Sequence, residues 1–182
     1  GSGLAYADKF GMILGYQNVL WHIGDPDNQN AAPHWNGNIS WAIYNMAGVT
    51  FAPGSPYSAT TMVGNTYGYD NASRITSSNF GFFTYHSGLE DWGWFETNSY
   101  DETGYQYDGS GNITAVQRYG NTGALMDNLT YTYGTGTNRL RHISDGVAAG
   151  TFSTDIDNQV SDNYAYDGNG SLQKDLQRDV AF

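Results

Sequence analysis

A short stretch of the chain combines carboxylates with tryptophans and could hydrolyse a glycosidic bond. Its relevant residues are, in chain order, Glu90, Asp91, Trp92, Trp94 and Glu96. Burial against an indole raises the pKa of a carboxyl group, and a pair of carboxylates is the usual machinery of glycosidases. The alternative is an exposed acidic strand or loop, which we favour because no second carboxylate motif matches this one. We therefore predict no catalytic residues and a chain that is not an enzyme.

Histidines and carboxylates near the start of the chain could ligate a metal ion. His22 and His34 bracket the polar stretch Gly24–Asn30, whose oxygen-bearing side chains include Asp25, Asp27 and Asn28. This stretch lacks the glycine and the terminal glutamate of an EF-hand loop. We favour a polar loop that caps itself, and we predict neither a metal site nor a cofactor.

Four stretches of the chain repeat one phrase: Tyr-x-Tyr, a tight polar turn, and a branched aliphatic residue. They are Tyr67–Ile75, Tyr105–Ile113, Tyr131–Leu140 and Tyr164–Leu172. Repetition along one chain indicates an architecture built by stacking a small unit. Tyrosine and branched residues favour strands, while Gly, Asn, Asp and Ser favour the turns between them. The phrases therefore predict an all-β chain of consecutive β-hairpins.

The residues of the phrase are expected to hold the geometry of each hairpin. In three phrases an aspartate follows the second tyrosine and can accept hydrogen bonds from backbone N–H groups, while glycine supplies positive φ. We expect the tyrosine pairs to pack across strands; stacking on sugars is the alternative. The predicted repeat-structural residues are Tyr67, Tyr69, Asp70, Tyr105, Tyr107, Asp108, Gly111, Tyr131, Tyr133, Tyr164, Tyr166, Asp167 and Gly170.

The repeat varies along the chain. The phrase at Tyr131 is one residue longer and lacks the aspartate, so its hairpin loop should differ from the others. A degenerate phrase occurs earlier, at Trp35–Ser40. We therefore treat residues 1–182 as a single repeat segment, with the clearest repeats in 64–182 and a poorly matched or tag-like start in 1–9.

The last part of the chain allows two interpretations. Leu172, Leu176 and Val180 are spaced by four residues, which would place them on one face of a helix. The alternative is a strand over Ser171–Lys174, a turn near Asp175 and a second strand. We predict the strands because the matching positions of the second phrase are rich in β-forming residues.

The Tyr-Asp phrases resemble the YD repeats of RHS proteins, the family that includes the teneurin shell and the C components of insecticidal toxin complexes. The resemblance covers roughly residues 10–182 and is closest over Tyr105–Asp145, where the chain looks like RHS proteins of the Bacteroidetes type. The matching runs are Asn36–Trp41, Tyr105–Gly120, Leu125–Tyr133 and Asn138–Leu140.

This resemblance implies a long antiparallel sheet of hairpins that curves or spirals into a hollow shell around a toxin or other cargo. It also implies a secreted or surface-displayed bacterial protein. The sequence is much shorter than a full shell, contains no variable toxin domain, and lacks the Asp-Pro-x-Gly-type motif of self-cleavage, so no protease residues carry over. We expect a non-catalytic shell segment that associates through its sheet edges into homo-oligomers or filaments.

Composition excludes several other classes of function. The chain has 7 basic and 18 acidic residues, for a net charge of -11, which disfavours nucleic acids and anionic membrane surfaces as partners. It has no cysteine and no apolar run of the ~20 residues that a membrane helix needs.

An extracellular carbohydrate-binding β-module is the alternative function. Its ligand surface would comprise Trp92, Trp94, Glu90 and Glu96.

Overall fold

The computed structural model describes residues 10–16, 21–22, 25–29, 34–46, 62–86, 91–153, 155–178 and 180–181. Every helix or strand assigned among them is a β-strand, and the strand pairs are mostly antiparallel, so the all-β prediction is confirmed. In this described part, no helix is long and apolar enough to cross a membrane. The chain divides into two compact units, Gly1–Asn98 and Ser99–Phe182.

The first unit forms a sheet in which most neighbouring strands are antiparallel. Its described strands are β1 (Phe10–Gly15), β2 (Trp21–His22), β3 (Asp25–Gln29), β4 (Trp41–Met46), β5 (Met62–Tyr69), β6 (Ile75–His86) and β7 (Asp91–Glu96). They hydrogen-bond in the order β1-β4-β5-β6-β7-β2-β3, and only β2 and β7 run parallel. The turn of the first phrase joins β5 to β6, which form the longest hairpin.

The second unit is built from strands that pair with their neighbours in chain order. Four of them, β8 to β11, form an antiparallel meander, and the other three, β12 to β14, form a separate small sheet. Each phrase supplies one hairpin turn, so the repeat of the sequence is also the repeat of the fold. The strands are β8 (Glu102–Tyr107), β9 (Ile113–Tyr119), β10 (Leu125–Tyr133), β11 (Leu140–Asp145), β12 (Tyr164–Tyr166), β13 (Leu172–Asp175) and β14 (Val180–Ala181).

The structure corrects one interpretation of the sequence and confirms another. The polar stretch Gly24–Asn30, expected to be a loop, contributes the strand β3, which pairs with β2. Pro26 is compatible with this strand because β3 has only one described neighbour, so a missing N–H can face away from the ladder. At the other end of the chain, β13, a turn and β14 follow one another, so the predicted strands are correct and the helix is excluded.

The first unit has a small core around one tryptophan. Trp94 is fully buried with Ile43, and the partly buried Trp41 and Met62 pack against them. Gly81 lies on the neighbouring strand, where a Cβ atom would stand 2.6 Å from Trp94 Cζ2. Only glycine leaves room there, so this strand pairing depends on a residue without a side chain.

The core of the second unit joins aliphatic residues to the tyrosines of the repeat. Val116, Leu129 and Ile143 come from three successive strands, β9, β10 and β11, and all are buried. Leu129 is only 1% exposed, while Thr130 beside it faces solvent, as the alternation of a half-buried strand requires. The partly buried residues packed against this core are Tyr105, Tyr131, Leu140, Ile156 and Tyr164.

A buried carboxylate anchors the loop between the two sheets of the second unit. Asp127 has no exposed surface; its Oδ2 atom pairs with Arg118 Nε at 3.0 Å and Nη2 at 2.8 Å. Its Oδ1 atom accepts the backbone N–H of Ile156 at 2.8 Å. The loop residues after Ile156 run along β11. There the backbone N–H of Gln159 donates to the Ile143 carbonyl, and the N–H of Ile143 donates to Gln159 Oε1. The loop is therefore attached to both β10 and β11.

We expect Asp127→Ala to destabilise the protein by about 3–5 kcal/mol, because it leaves a half-buried guanidinium and a backbone N–H without their partner. Asp162→Asn is the matched control: it removes the charge from an ion pair with Arg141 whose side chains are exposed, and asparagine tolerates the positive φ of this position. Such an exposed pair contributes little to stability. Urea unfolding of both variants measures the difference, and equal losses would contradict the anchoring role of Asp127.

Candidate functional site

Three of the four repeated turns share one conformation, and an aspartate holds it. The Oδ1 atom of Asp70, Asp108 and Asp167 accepts two backbone N–H bonds, from the second and fourth residues after it, at 2.8–2.9 Å. The N–H of each aspartate donates to the carbonyl of that fourth residue at 2.9–3.0 Å. The third residue after each aspartate has a positive φ: 60° for Ser73, 87° for Gly111 and 89° for Gly170. One carboxylate therefore closes each turn.

These hydrogen bonds favour the charged form of Asp70 and Asp108. The backbone N–H of Arg74, and then its side chain, lower the pKa of Asp70. The pKa of Asp108 is lowered chiefly by the amide side chain of Asn112. The stability that these contacts contribute is therefore complete above the ordinary carboxyl pKa of about 4 and is lost as the pH falls below it.

The remaining turns are closed without a carboxylate. In the phrase at Tyr131, the N–H of Gly134 donates to the carbonyl of Arg139, one residue further along than in the aspartate turns. The Thr137 hydroxyl takes part instead of the carboxylate by accepting the N–H of Arg139 at 3.3 Å. The loop of this phrase therefore differs from the others, as its length predicts. In the degenerate phrase, Gly37 has a φ of 89°, close to that of the glycines in the aspartate turns.

In three of the four phrases, the second tyrosine binds the end of the phrase before it. The hydroxyl of Tyr133 donates to the carbonyl of Ile113 at 2.8 Å, and Ile113 closes the preceding phrase. Two other tyrosines repeat this geometry. The equivalent pairs are Tyr69 with Ile39 and Tyr166 with Leu140, both at 3.0 Å. A carbonyl oxygen has two lone pairs, so it can accept a hydroxyl in addition to a strand hydrogen bond. We call this contact the tyrosine joint.

Neighbouring turns also contact each other directly. In the first unit the Asn36 side chain donates to the Ser73 hydroxyl at 3.0 Å. In the second unit the Asn112 amide donates to Asn138 Oδ1 at 3.0 Å. The Arg139 guanidinium lies 5.8 Å from the centre of the Tyr166 ring, within the range of a cation–π contact. Within each unit, then, successive turns lie side by side, and the tyrosine joint is part of a wider contact.

The first tyrosines of the three phrases in the second unit pack against the core instead. The hydroxyl of Tyr105 donates to Glu102 Oε2 at 2.5 Å, and burial together with this bond raises its pKa strongly. The hydroxyl of Tyr164 accepts a hydrogen bond from Gln159 at 2.8 Å. The ring of Tyr105 also stacks on that of Tyr107 in its own phrase, at 6.5 Å between centroids. The two tyrosines of a phrase therefore have different roles.

The predicted ligand surface is largely committed to packing where the structure describes it. Trp94 is fully buried, so its ring is not available to a sugar. Glu96 Oε1 accepts the Thr66 hydroxyl at 2.9 Å. Glu90 and the side chains of Asp91 and Trp92 lie outside the described residues.

The histidine and aspartate side chains proposed as metal ligands are described only at His34. Its backbone N–H donates to the Ser40 hydroxyl at 3.2 Å, and its ring packs edge-on against Tyr69 at 4.9 Å. The backbones of His22, Asp25 and Asp27 belong to β2 and β3, and their side chains lie outside the described part. Among the described residues, no group of three or more His, Asp or Glu side chains could hold a metal ion.

A cavity of about 300 Å³ lies in the second unit, between β11 and the small sheet. Three carboxylates, Asp155, Asp157 and Asp175, line it together with Arg178. One oxygen of Asp155 and one of Asp157 are buried and have no hydrogen-bond partner among the described residues. Among the described residues that line the cavity, none is a serine, cysteine or histidine.

Comparison with protein-family models, with curated proteins and with solved structures found no match for this chain.

We expect Tyr133→Phe to destabilise the protein by about 1–2 kcal/mol, because it removes the joint and leaves the Ile113 carbonyl without its hydroxyl partner. Tyr119→Phe is the matched control, since Tyr119 is half-buried in the same unit and no described residue hydrogen-bonds to its hydroxyl. Denaturant unfolding of both variants gives the two losses. Equal losses would show that the hydroxyl of Tyr133 contributes nothing specific.

Stability should fall as the pH rises above about 10. Burial raises the pKa of Tyr69, Tyr133 and Tyr166 above the ordinary value, and ionisation removes the proton that each joint donates. Since the tyrosines of the unfolded chain ionise first, stability is complete below about pH 10 and is lost as the pH approaches the folded-state pKa. Urea midpoints measured from about pH 8 to 12, alongside tyrosinate absorbance, test this. A midpoint that stays constant across that range would contradict it.

Proposed function

We propose that this chain is a non-catalytic segment of a secreted or surface RHS/YD-repeat protein, and that it forms part of a β-shell that encapsulates or scaffolds cargo such as a toxin. The tyrosine joint is the observation that carries this proposal. It occurs three times at equivalent positions and uses the residues that define the repeated phrase. A wall built of such units can be lengthened without any new kind of contact.

The use of the polar residues also supports a structural role. The repeat aspartates bind backbone N–H groups, three of the second tyrosines form joints, and Glu96 binds Thr66. Each of these groups is therefore engaged in holding neighbouring parts of the chain together. An active site would instead need a nucleophile and a base within hydrogen-bond reach of each other.

Association through sheet edges is the second element of the proposal. The strand β1 has one described neighbour, β4, and its other edge meets no described strand. Met12 and Ile13 on this strand are 54% and 56% exposed. Because adjacent residues point to opposite faces, both faces of the strand expose apolar side chains. Open apolar edges of this kind pair with strands of other chains.

We expect the purified chain to associate in a concentration-dependent manner and Ile13→Lys to weaken that association about tenfold or more, because a charge on an edge strand opposes pairing. Leu176→Lys is the control: Leu176 is 52% exposed but lies in a turn outside β1. Sedimentation velocity over a range of concentrations measures the effect. A monomer at every concentration, or equal effects of the two substitutions, would overturn edge association.

A further inference from the structure

Two turns of the chain contain an Asn–Gly dipeptide, Asn36–Gly37 and Asn169–Gly170, and both asparagines are exposed. An asparagine in this dipeptide can lose its side-chain amide, because glycine has no side chain to hinder attack by its backbone nitrogen. The nitrogen bonds to the asparagine Cγ atom, the Cγ–Nδ2 bond breaks, and ammonia leaves with the proton of the backbone amide. Water then opens the succinimide ring and gives aspartate or isoaspartate. By sequence alone, the two dipeptides are equally suited to this reaction.

The structure distinguishes the two dipeptides at the attacking nitrogen. The N–H of Gly170 donates to the Asp167 carbonyl at 3.1 Å within its aspartate turn. This nitrogen must lose its proton in order to attack, and the hydrogen bond keeps the proton in place. No described residue accepts the N–H of Gly37. Both glycines have a φ of 89°, so the difference lies in the hydrogen bond and not in the backbone angle.

The two side-chain amides differ as well. The Oδ1 atom of Asn36 accepts the backbone N–H of Asn38 at 3.1 Å, and its Nδ2 atom donates to the Ser73 hydroxyl at 3.0 Å. Negative charge develops on Oδ1 when the nitrogen adds to Cγ, and an N–H donor already placed there stabilises it. Among the described residues, none donates to the side-chain oxygen of Asn169, whose backbone N–H binds Asp167. The first dipeptide is therefore better arranged at both reacting groups.

We propose that Asn36–Gly37 is a site of spontaneous deamidation in the folded protein, and that the fold protects Asn169–Gly170 from the same reaction. The product at position 36 carries a negative charge and no longer has the N–H that donates to Ser73. Deamidation thus alters the contact between two neighbouring turns of the first unit. The inference does not depend on the proposed function, since the reaction needs only water.

The rates of the two conversions test this proposal. The purified chain is incubated at mildly alkaline pH, both folded and unfolded in guanidinium chloride. Trypsin then releases Asn36 within residues 10–74 and Asn169 within residues 142–174, so mass spectrometry with fragmentation follows each asparagine separately. In the folded chain we expect Asn36 to convert about tenfold faster than Asn169, and in the unfolded chain we expect similar rates.

Three results would overturn the proposal. They are equal rates in the folded chain, faster conversion at Asn169, and a folded chain in which Asn36 stays intact while the unfolded chain converts. A rate ratio that is the same in both conditions would also overturn it, because the sequence and not the fold would then set the difference.

A pair of variants tests the protection by the aspartate turn. Asp167→Ala removes the carboxylate that closes this turn and loosens the bond of Gly170, so we expect Asn169 to convert about fivefold faster. Asp108→Ala is the matched control, because it makes the same change in a turn without an Asn–Gly dipeptide. Circular dichroism checks that both variants are folded, and Asn36 is the internal reference. Unchanged conversion of Asn169 in Asp167→Ala, or equal acceleration by both variants, contradicts protection by the turn.

Discussion

A single β-hairpin is at best marginally stable in water, so a chain of hairpins depends on what connects each one to the next. In this protein one connection is a tyrosine hydroxyl that donates to the backbone carbonyl at the end of the preceding phrase. A backbone acceptor suits a repeat because every residue type provides it. The aliphatic residue can thus change from Ile to Leu while the bond is kept.

The other features of the fold position this contact. The aspartate turns fix the distance between the second tyrosine and the aliphatic residue of the same phrase, so each hairpin presents one donor and one acceptor at defined places. The first tyrosines of the second unit contribute to the core around Leu129, which holds the strands in register. A long loop follows the hairpin of the Tyr131 phrase, and Asp127 anchors this loop by accepting the backbone N–H of Ile156. Local turn chemistry, a small core and the joint therefore act together within each unit.

The sequence predicted the local features well and the distant contacts poorly. Turns such as Asp108–Asn112 and the strands beside them follow from residue types within a few positions of each other. The polar strand β3 was misread as a loop because Pro26 and its acidic neighbours are typical of turns, and only pairing with β2 makes the segment extended. The tyrosine joint connects residues 20 to 30 positions apart, and no local pattern reveals the partner of a hydroxyl. The burial of Trp94 likewise depends on Gly81 in another strand.

The central claim is that Tyr69, Tyr133 and Tyr166 each join a phrase to the one before it through a hydroxyl group. A crystal structure at a resolution that orients these hydroxyls tests it most directly. The account predicts that the hydroxyl oxygens of Tyr69, Tyr133 and Tyr166 lie 2.8–3.0 Å from the carbonyl oxygens of the preceding phrases. Hydroxyls that point into solvent or bind other groups would contradict it.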